Sequence, residues 1–269
     1  MALPLALQLY SLRETAKDDF PGVLQQVAGM GYKGVEFAGL HGHEPAQVAK
    51  MVGDLGMQCV SAHMSLPTAE NVDQVVADAK ALGISFVVAG GGPADYQDEG
   101  SVRAIAEKFA TAAELLAPHD LLFGIHNHWW EFDHQVGGEC PHDMMMAQCG
   151  DAFAQLDVCW AAFGGHDPAA VIERNAGRVH LLHVKDSTLE KTDEGRPATP
   201  HVAVGSGKVD IPACVEAAQQ AGTRWLIVEL DSCATDMAEA CRQSAQYMIQ
   251  NDLAEGSGAG GCCSGCCGQ

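Results

Sequence analysis

Short apolar runs alternate with amphipathic stretches eight times along this chain. The runs Leu3–Tyr10, Gly34–Ala38, Gln58–His63, Ser85–Gly90, Leu121–His128, Phe153–Val158, Val179–Val184 and Trp225–Leu230 are rich in Val, Ile, Leu and Phe, as expected of parallel strands buried on both faces. Between them, apolar residues recur at helical spacing. This predicts helices over Asp19–Met30, Glu44–Leu55, Ala69–Leu82, Ser101–Leu116, Pro168–Asn175 and Ile211–Ala221, with a last one over Asp236–Ile249. Glycines at 31, 56, 83 and 222 mark several helix ends. Repeated strand–helix units imply right-handed crossovers and a parallel sheet, and eight of them imply closure. The expected fold class is α/β, a (β/α)8 TIM barrel in one domain over residues 1–254.

From Glu255 the sequence changes to EGSGAGGCCSGCCGQ, small and without apolar period, so residues 255–269 are expected to be a flexible tail. Cys262, Cys263, Cys266 and Cys267 resemble the tetracysteine tags that bind biarsenical dyes, with Ser264 where such tags usually carry proline. Four close thiols also suit a soft metal. The simpler reading is an appended tail with no part in catalysis.

If the chain closes into a barrel, its chemistry belongs at the C-terminal ends of the strands. Four runs end in a group able to bind a metal: His126, Asp157, His183 and Glu229. Strand alternation puts Gly124, His126 and His128 on one face, Phe153, Gln155 and Asp157 on another, and likewise Leu181, His183 and Lys185, then Trp225, Ile227, Glu229 and Asp231. Earlier strands offer Gln8 and Tyr10, Glu36, and Ser61 with His63. Carboxylate with imidazole and no thiolate suits one divalent ion, with Mn²⁺ the first expectation and Mg²⁺, Co²⁺, Fe²⁺ or Zn²⁺ compatible with the same ligands.

Plainer readings compete. A lone His at a strand end is more often a hydrogen-bonded structural residue, and a lone Asp before a helix is usually an N-cap, which applies to Asp186, Asp210 and Asp231. His41, His43, His119, His134, His142 and His201 fall in polar segments and receive no functional weight. Glu36 could be a satisfied core carboxylate. The coincidence of two carboxylates and two imidazoles at one barrel mouth raises the strand-end set above this background, because a buried carboxylate is costly unless paired or metal-bound.

Composition narrows the partners. The chain has 269 residues, 47% hydrophobic and 19% charged, with 35 acidic against 15 basic residues and a net charge of −20. That charge repels a phosphate backbone, so nucleic acid is not an expected partner. No apolar run is long enough to span a membrane. The first residues, MALPLALQLYSLRE, lack a basic region and a cleavage site and read as a first strand. Cys59, Cys140, Cys149, Cys159, Cys214, Cys233 and Cys241 are scattered singly, which suits free thiols in a reducing cytoplasm. The glycine runs match neither a dinucleotide fingerprint nor a P-loop, and no nucleophile elbow is present.

The segments LQLYSLRE from Leu7, GYKGVEFAG from Gly31, VSAHMS from Val60, IHNHWWEF from Ile125, LDVCW from Leu156, HVKD from His183, VGSGKVDIP from Val204 and VELD from Val228 together resemble the xylose-isomerase-like TIM barrels, the group of sugar phosphate isomerases and epimerases. The resemblance covers nearly the whole chain except the tail. It implies one divalent metal held by Glu, Asp, His and Glu at the ends of strands five to eight, of which Asp157, His183 and Glu229 match. At the fifth strand this chain reads His126-Asn127-His128, with Glu131 further on, the pattern of a histidine-rich branch. His126 or Glu131 then supplies the first ligand. In the epimerases of this group two glutamates exchange a proton with opposite faces of the carbon beside a carbonyl, through an enediolate. Here Glu229 serves as one base, and His126, Glu131 or a water serves opposite it. Gln8, Glu36, His63, His128 and Lys185 are expected substrate contacts, and Trp129 or Trp130 could stack on a sugar face.

The resemblance implies a metal-dependent sugar isomerase or epimerase first. A lyase acting on a keto-inositol or 3-keto-glycoside comes second. An abasic-site endonuclease and an inactive sugar-binding barrel are weaker alternatives, the former opposed by the charge. The expected partner is a small carbohydrate, with homo-oligomerisation left open.

Overall fold

The computed structural model describes residues 2–197 and 201–257. Eight parallel strands, β1 (Leu3–Gln8), β2 (Gly34–Phe37), β3 (Gln58–His63), β4 (Phe86–Ala89), β5 (Leu122–His126), β6 (Phe153–Asp157), β7 (Leu181–Val184) and β8 (Trp225–Val228), pair in sequence order. The pairing of β1 with both β8 and β2 closes the barrel. The helices anticipated from apolar spacing all form, the longest being Glu99–Leu116. Asp19, Asp98, Asp210 and Asp236 cap theirs through side-chain bonds to backbone N–H groups. Gly83 and Gly222 close theirs in the left-handed conformation. No helix among the described residues is long and apolar enough to cross a membrane.

Alternation along the strands sorts the core into two parts. Outward-facing residues such as Leu5, Leu7, Val35, Phe37, Phe123 and Leu156 join the apolar layer between barrel and helices. Inward-facing Ala6, Val60, Phe86, Val88, Phe153, Leu181 and Ile227 form a separate apolar plug in the lower barrel. At Gly124 a Cβ would stand 2.4 Å from the Phe153 ring, so only glycine leaves room for that ring. Above the plug the interior turns polar: Gln8, Glu36, Ser61, Gln155, Asp157, His183 and Lys185 are all buried.

A bulge in β3 joins these two levels. Val35 pairs with Cys59 but Glu36 pairs with Ser61, so Val60 is the extra residue. The insertion shifts the alternation by one. Val60 therefore belongs to the plug while Ser61 reaches the polar level.

Several strands stop earlier than their apolar runs suggest. Gln8 ends β1 because its side chain accepts the Tyr10 N–H and turns the chain into a 3-10 helix, Leu9–Leu12. Asp157 ends β6 because it caps a short helix, Val158–Phe163, that sequence reasoning merged with the strand. The boundary proposed at residue 254 cuts into a small strand, β9 (Ala254–Glu255), which pairs with the start of β1. Ser257 N–H also donates to the Gly31 carbonyl. Cys262, Cys263, Cys266 and Cys267 lie outside the described residues.

Candidate active site at the barrel mouth

His126 and Asp157 are the last residues of β5 and β6, His183 is one short of the end of β7, and Glu229 directly follows β8. One donor atom from each lies within 4.8 Å of the others, and all four residues are buried. A second grouping, His63 with His126 and His183, meets the same criterion. Within the first set, His126 Nδ1 is buried without a hydrogen-bond partner, and the buried Asp157 Oδ2 has only the Lys185 ammonium against it, at 3.0 Å. Buried polar atoms are normally satisfied, so an orphaned imidazole nitrogen within a mixed oxygen and nitrogen donor set fits a divalent cation.

The neighbouring contacts fix these groups. His183 bridges two carboxylates, Nδ1 to Glu229 Oε2 at 2.8 Å and Nε2 to Glu36 Oε1 at 2.6 Å. Burial disfavours its imidazolium, but Glu36 and Glu229 outweigh that and raise its pKa to about 10. Asp157 Oδ1 accepts the Trp160 N–H at 3.0 Å as a helix cap, leaving Oδ2 to face the interior. Asn127, unremarked in the sequence except as the middle of His-Asn-His, accepts the Asp157 N–H at 2.9 Å and ties the ends of β5 and β6 together.

Lys185 is fully buried among three carboxylates, 3.0 Å from Asp157, 3.0 Å from Glu229 and 2.8 Å from Asp231. Burial opposes its charge, yet Asp157 and then Glu229 hold its pKa well above the usual lysine range. For Glu229 burial favours the neutral acid, but Lys185 and His183 outweigh it and keep it ionised.

Several residues singled out in the sequence lie away from the cavity wall and are held by other partners. Gln8 and Glu36, expected to touch substrate, are fully buried. The Glu36 carboxylate accepts from Gln8 at 2.6 Å, Ser61 at 2.6 Å, Gln155 and His183, the plainer reading of a satisfied core carboxylate. Lys185 likewise contacts carboxylates and not the cavity wall. Glu131, offered as ligand or base, accepts the His128 N–H at 2.9 Å from a buried position and belongs to neither donor group. Burial pushes its pKa well above the usual carboxylate range. Asp210 is an N-cap as expected. Asp186 instead collects the N–H groups of Ser187, Gly205, Gly207 and Val209 and so shapes the loop after β7, while Asp231 pairs with Lys185.

His201, given no weight in the sequence, packs directly behind the mouth residue Asp231. It is 2% exposed, accepts the Asp231 N–H on Nδ1 at 3.2 Å and lies edge-on to Trp160. Nothing local in the sequence marks it, because the segment carrying it folds back from β7 to bridge Cys233 after β8.

The mouth is a cavity of about 300 Å³ lined by Tyr10, His63, His126, His128, Glu229 and Asp231, with Ala38, Gly90 and Gly91 completing the wall. His63 and His128, expected to meet substrate, are on this wall.

The xylose isomerase-like TIM barrel family model matches residues 24–250. The chain belongs to that family. Among curated proteins it is 29% identical over 147 residues to the rhizopine catabolism protein MocC of Rhizobium meliloti, a match covering 48% of this chain and 42% of that protein. The chain thus matches less than half the length of that relative. A sugar phosphate isomerase/epimerase from Parabacteroides distasonis superposes with a TM-score of 0.77 at 24% identity, covering 94% of this chain and 96% of its own. The IolI protein with a bound zinc atom superposes with a TM-score of 0.71 at 14% identity, covering 93% and 98%. These likenesses establish a shared barrel.

Proposed function

We propose that this barrel is a divalent-metal-dependent sugar isomerase or epimerase, with His126, Asp157, His183 and Glu229 as the metal ligands. The observation that carries the reading is the cluster of four buried ligand residues at the strand ends, among them His126, whose Nδ1 is buried without a partner. The zinc atom in the IolI protein, a barrel of the same fold, agrees with it. A metal held there would polarise a substrate carbonyl and lower the cost of removing the neighbouring proton.

The remaining chemistry falls to the chain. Glu229 lines the cavity and is ionised, so it is placed to take the proton. With His126 among the ligands and Glu131 turned into the wall, His63 is the group that returns a proton. It lines the same cavity, and although burial works against its charge, Glu36 outweighs that and raises its pKa. His126 and His128 are kept neutral, first by burial, so they suit donation to or acceptance from hydroxyls.

The substrate in this reading is an unphosphorylated sugar. Two carboxylates and no lysine or arginine line the cavity. Lys185 is held by three carboxylates, and Arg13 at the rim donates to the Tyr10 and Asp231 carbonyls. Among the described residues, no lysine or arginine side chain is left free there to meet a phosphate group.

Incubating the Mn²⁺-loaded protein with neutral ketoses and keto-inositols in D₂O, followed by NMR, tests the reading. Deuterium should enter beside the carbonyl without loss of a group, and Glu229→Gln should abolish exchange. An unsaturated product would reassign the enzyme as a lyase, and exchange persisting in Glu229→Gln would remove Glu229 as base.

A further inference from the structure

Beside the mouth lies a second cleft of about 510 Å³, lined by Pro93, Trp129, Trp130, Asp133, Glu194 and Arg196. These residues come from segments that follow β4, β5 and β7, so the cleft opens on the same end of the barrel as the mouth. A shared partition separates the two spaces. His128 lines the mouth, and its ring stacks on Trp130 at 4.2 Å with only 13° between the planes. Trp130 in turn lines the cleft. The spaces are therefore neighbours across two stacked rings.

The aromatic wall of the cleft is braced. Trp129 meets Trp130 edge-on at 4.6 Å, Trp160 at 5.2 Å and Phe163 at 6.4 Å. Trp129 and Trp130 nevertheless stay only half-buried, so they keep surface free for a ligand at little cost in side-chain ordering. Lining the same cleft, Asp133 and Glu194 can accept from hydroxyls and Arg196 can donate. An apolar ring face bordered by hydroxyl-seeking groups is the chemistry of a pyranose. A phosphate or a nucleotide would meet two carboxylates against one guanidinium.

We propose that this cleft is a second ring subsite and that the substrate is a glycoside. Its reacting sugar occupies the mouth, its second pyranose ring lies against Trp129, and the glycosidic link passes over the rim of the His128–Trp130 partition. The inference rests on the reading that the mouth handles a sugar, and it adds the size and class of that sugar. Each space is large enough for about one ring, both lying within the usual range of small-molecule pockets.

Isothermal titration of the full-length, metal-loaded protein with glucose, maltose and cellobiose tests it. At least one disaccharide should bind about tenfold more tightly than glucose, the scale expected from one aromatic contact with added hydrogen bonds. Trp129→Ala should erase that advantage and leave glucose binding unchanged. Arg196→Ala, in an exposed loop, should reduce it as well and covers the case in which Trp129→Ala does not fold. Equal affinity for mono- and disaccharides in the unaltered protein, or a disaccharide advantage that survives in Arg196→Ala and in folded Trp129→Ala, overturns the subsite. Deuterium exchange into monosaccharide ketoses reads the mouth separately. A disaccharide advantage without exchange would leave the subsite standing and the proposed reaction refuted.

Discussion

The ammonium of Lys185 lies 3.0 Å from the Glu229 carboxylate, and the same nitrogen is 3.0 Å from Asp157. An internal cation thus already sits against two of the residues proposed as metal ligands. A divalent ion and this ammonium compete for the same oxygens. Replacing Lys185 by Met leaves Asp157, Glu229 and Asp231 without their counter-charge, which should cost the metal-free protein about 3 kcal/mol. The rise in melting temperature on adding Mn²⁺ should then exceed that of the unaltered protein. A variant responding to metal no more strongly than wild type would show that Lys185 and the metal do not share the site.

Glu36 acts on the proposed metal through His183. The imidazole presents Nδ1 towards Glu229 and is held at Nε2 by Glu36, the usual way a ligating histidine is oriented by a carboxylate behind it. Glu36→Gln should weaken metal binding by about tenfold or more, measured by competition with a fluorescent chelator. Unchanged affinity would reduce Glu36 to a packing role.

Glu131 offers the opposite case. Burial keeps its carboxyl protonated well above the usual range, and it accepts only the His128 N–H. Gln is close in shape to that neutral acid. Glu131→Gln should therefore retain metal content and turnover within about twofold, since the exchange leaves a neutral hydrogen-bonding group of the same size in place. Loss of either would restore Glu131 to the catalytic set.

Burial, reinforced by Lys185, lowers the pKa of His128 and His201 to about 4. Both are neutral in the folded protein at pH values where the unfolded chain is already protonated. The unfolded state then binds more protons, so stability rises with pH through this window. The metal-free protein should lose stability as pH falls from about 6.5 to about 4, and His201→Gln should flatten that slope. Denaturant melts between pH 7 and 4 read it directly, and an unchanged slope in the variant would assign the acid sensitivity to other groups.

The sequence revealed the barrel because its strands are periodic and its helices amphipathic. It revealed Asp157, His183 and Glu229 because strand alternation alone sends them inward. Three kinds of feature escaped it. Val158 and Cys159 continue the apolar run of β6, so the helix capped by Asp157 looked like more strand. Gln8 and Glu36 carry the same polar signature as substrate contacts, and their mutual bond and complete burial are visible only in the fold. His201 reaches Asp231 through the long segment after β7, a contact no local spacing encodes. The free cysteines expected from their scatter are indeed unpaired among the described residues.

Val60 gives the barrel an adjustable joint. Because this one inserted residue lets β3 count its lower half in one phase and its upper half in the other, the plug and the mouth are geometrically uncoupled on that strand. Plug residues can be exchanged for others of equal volume without rotating Ser61 away from Glu36. Removing Val60 would act in the other direction, restoring a plain alternation along β3 with Ser61 still inward and taking an apolar side chain out of the plug. An engineer seeking new specificity on this scaffold can therefore rebuild either storey alone, provided the length of β3 is left as it is.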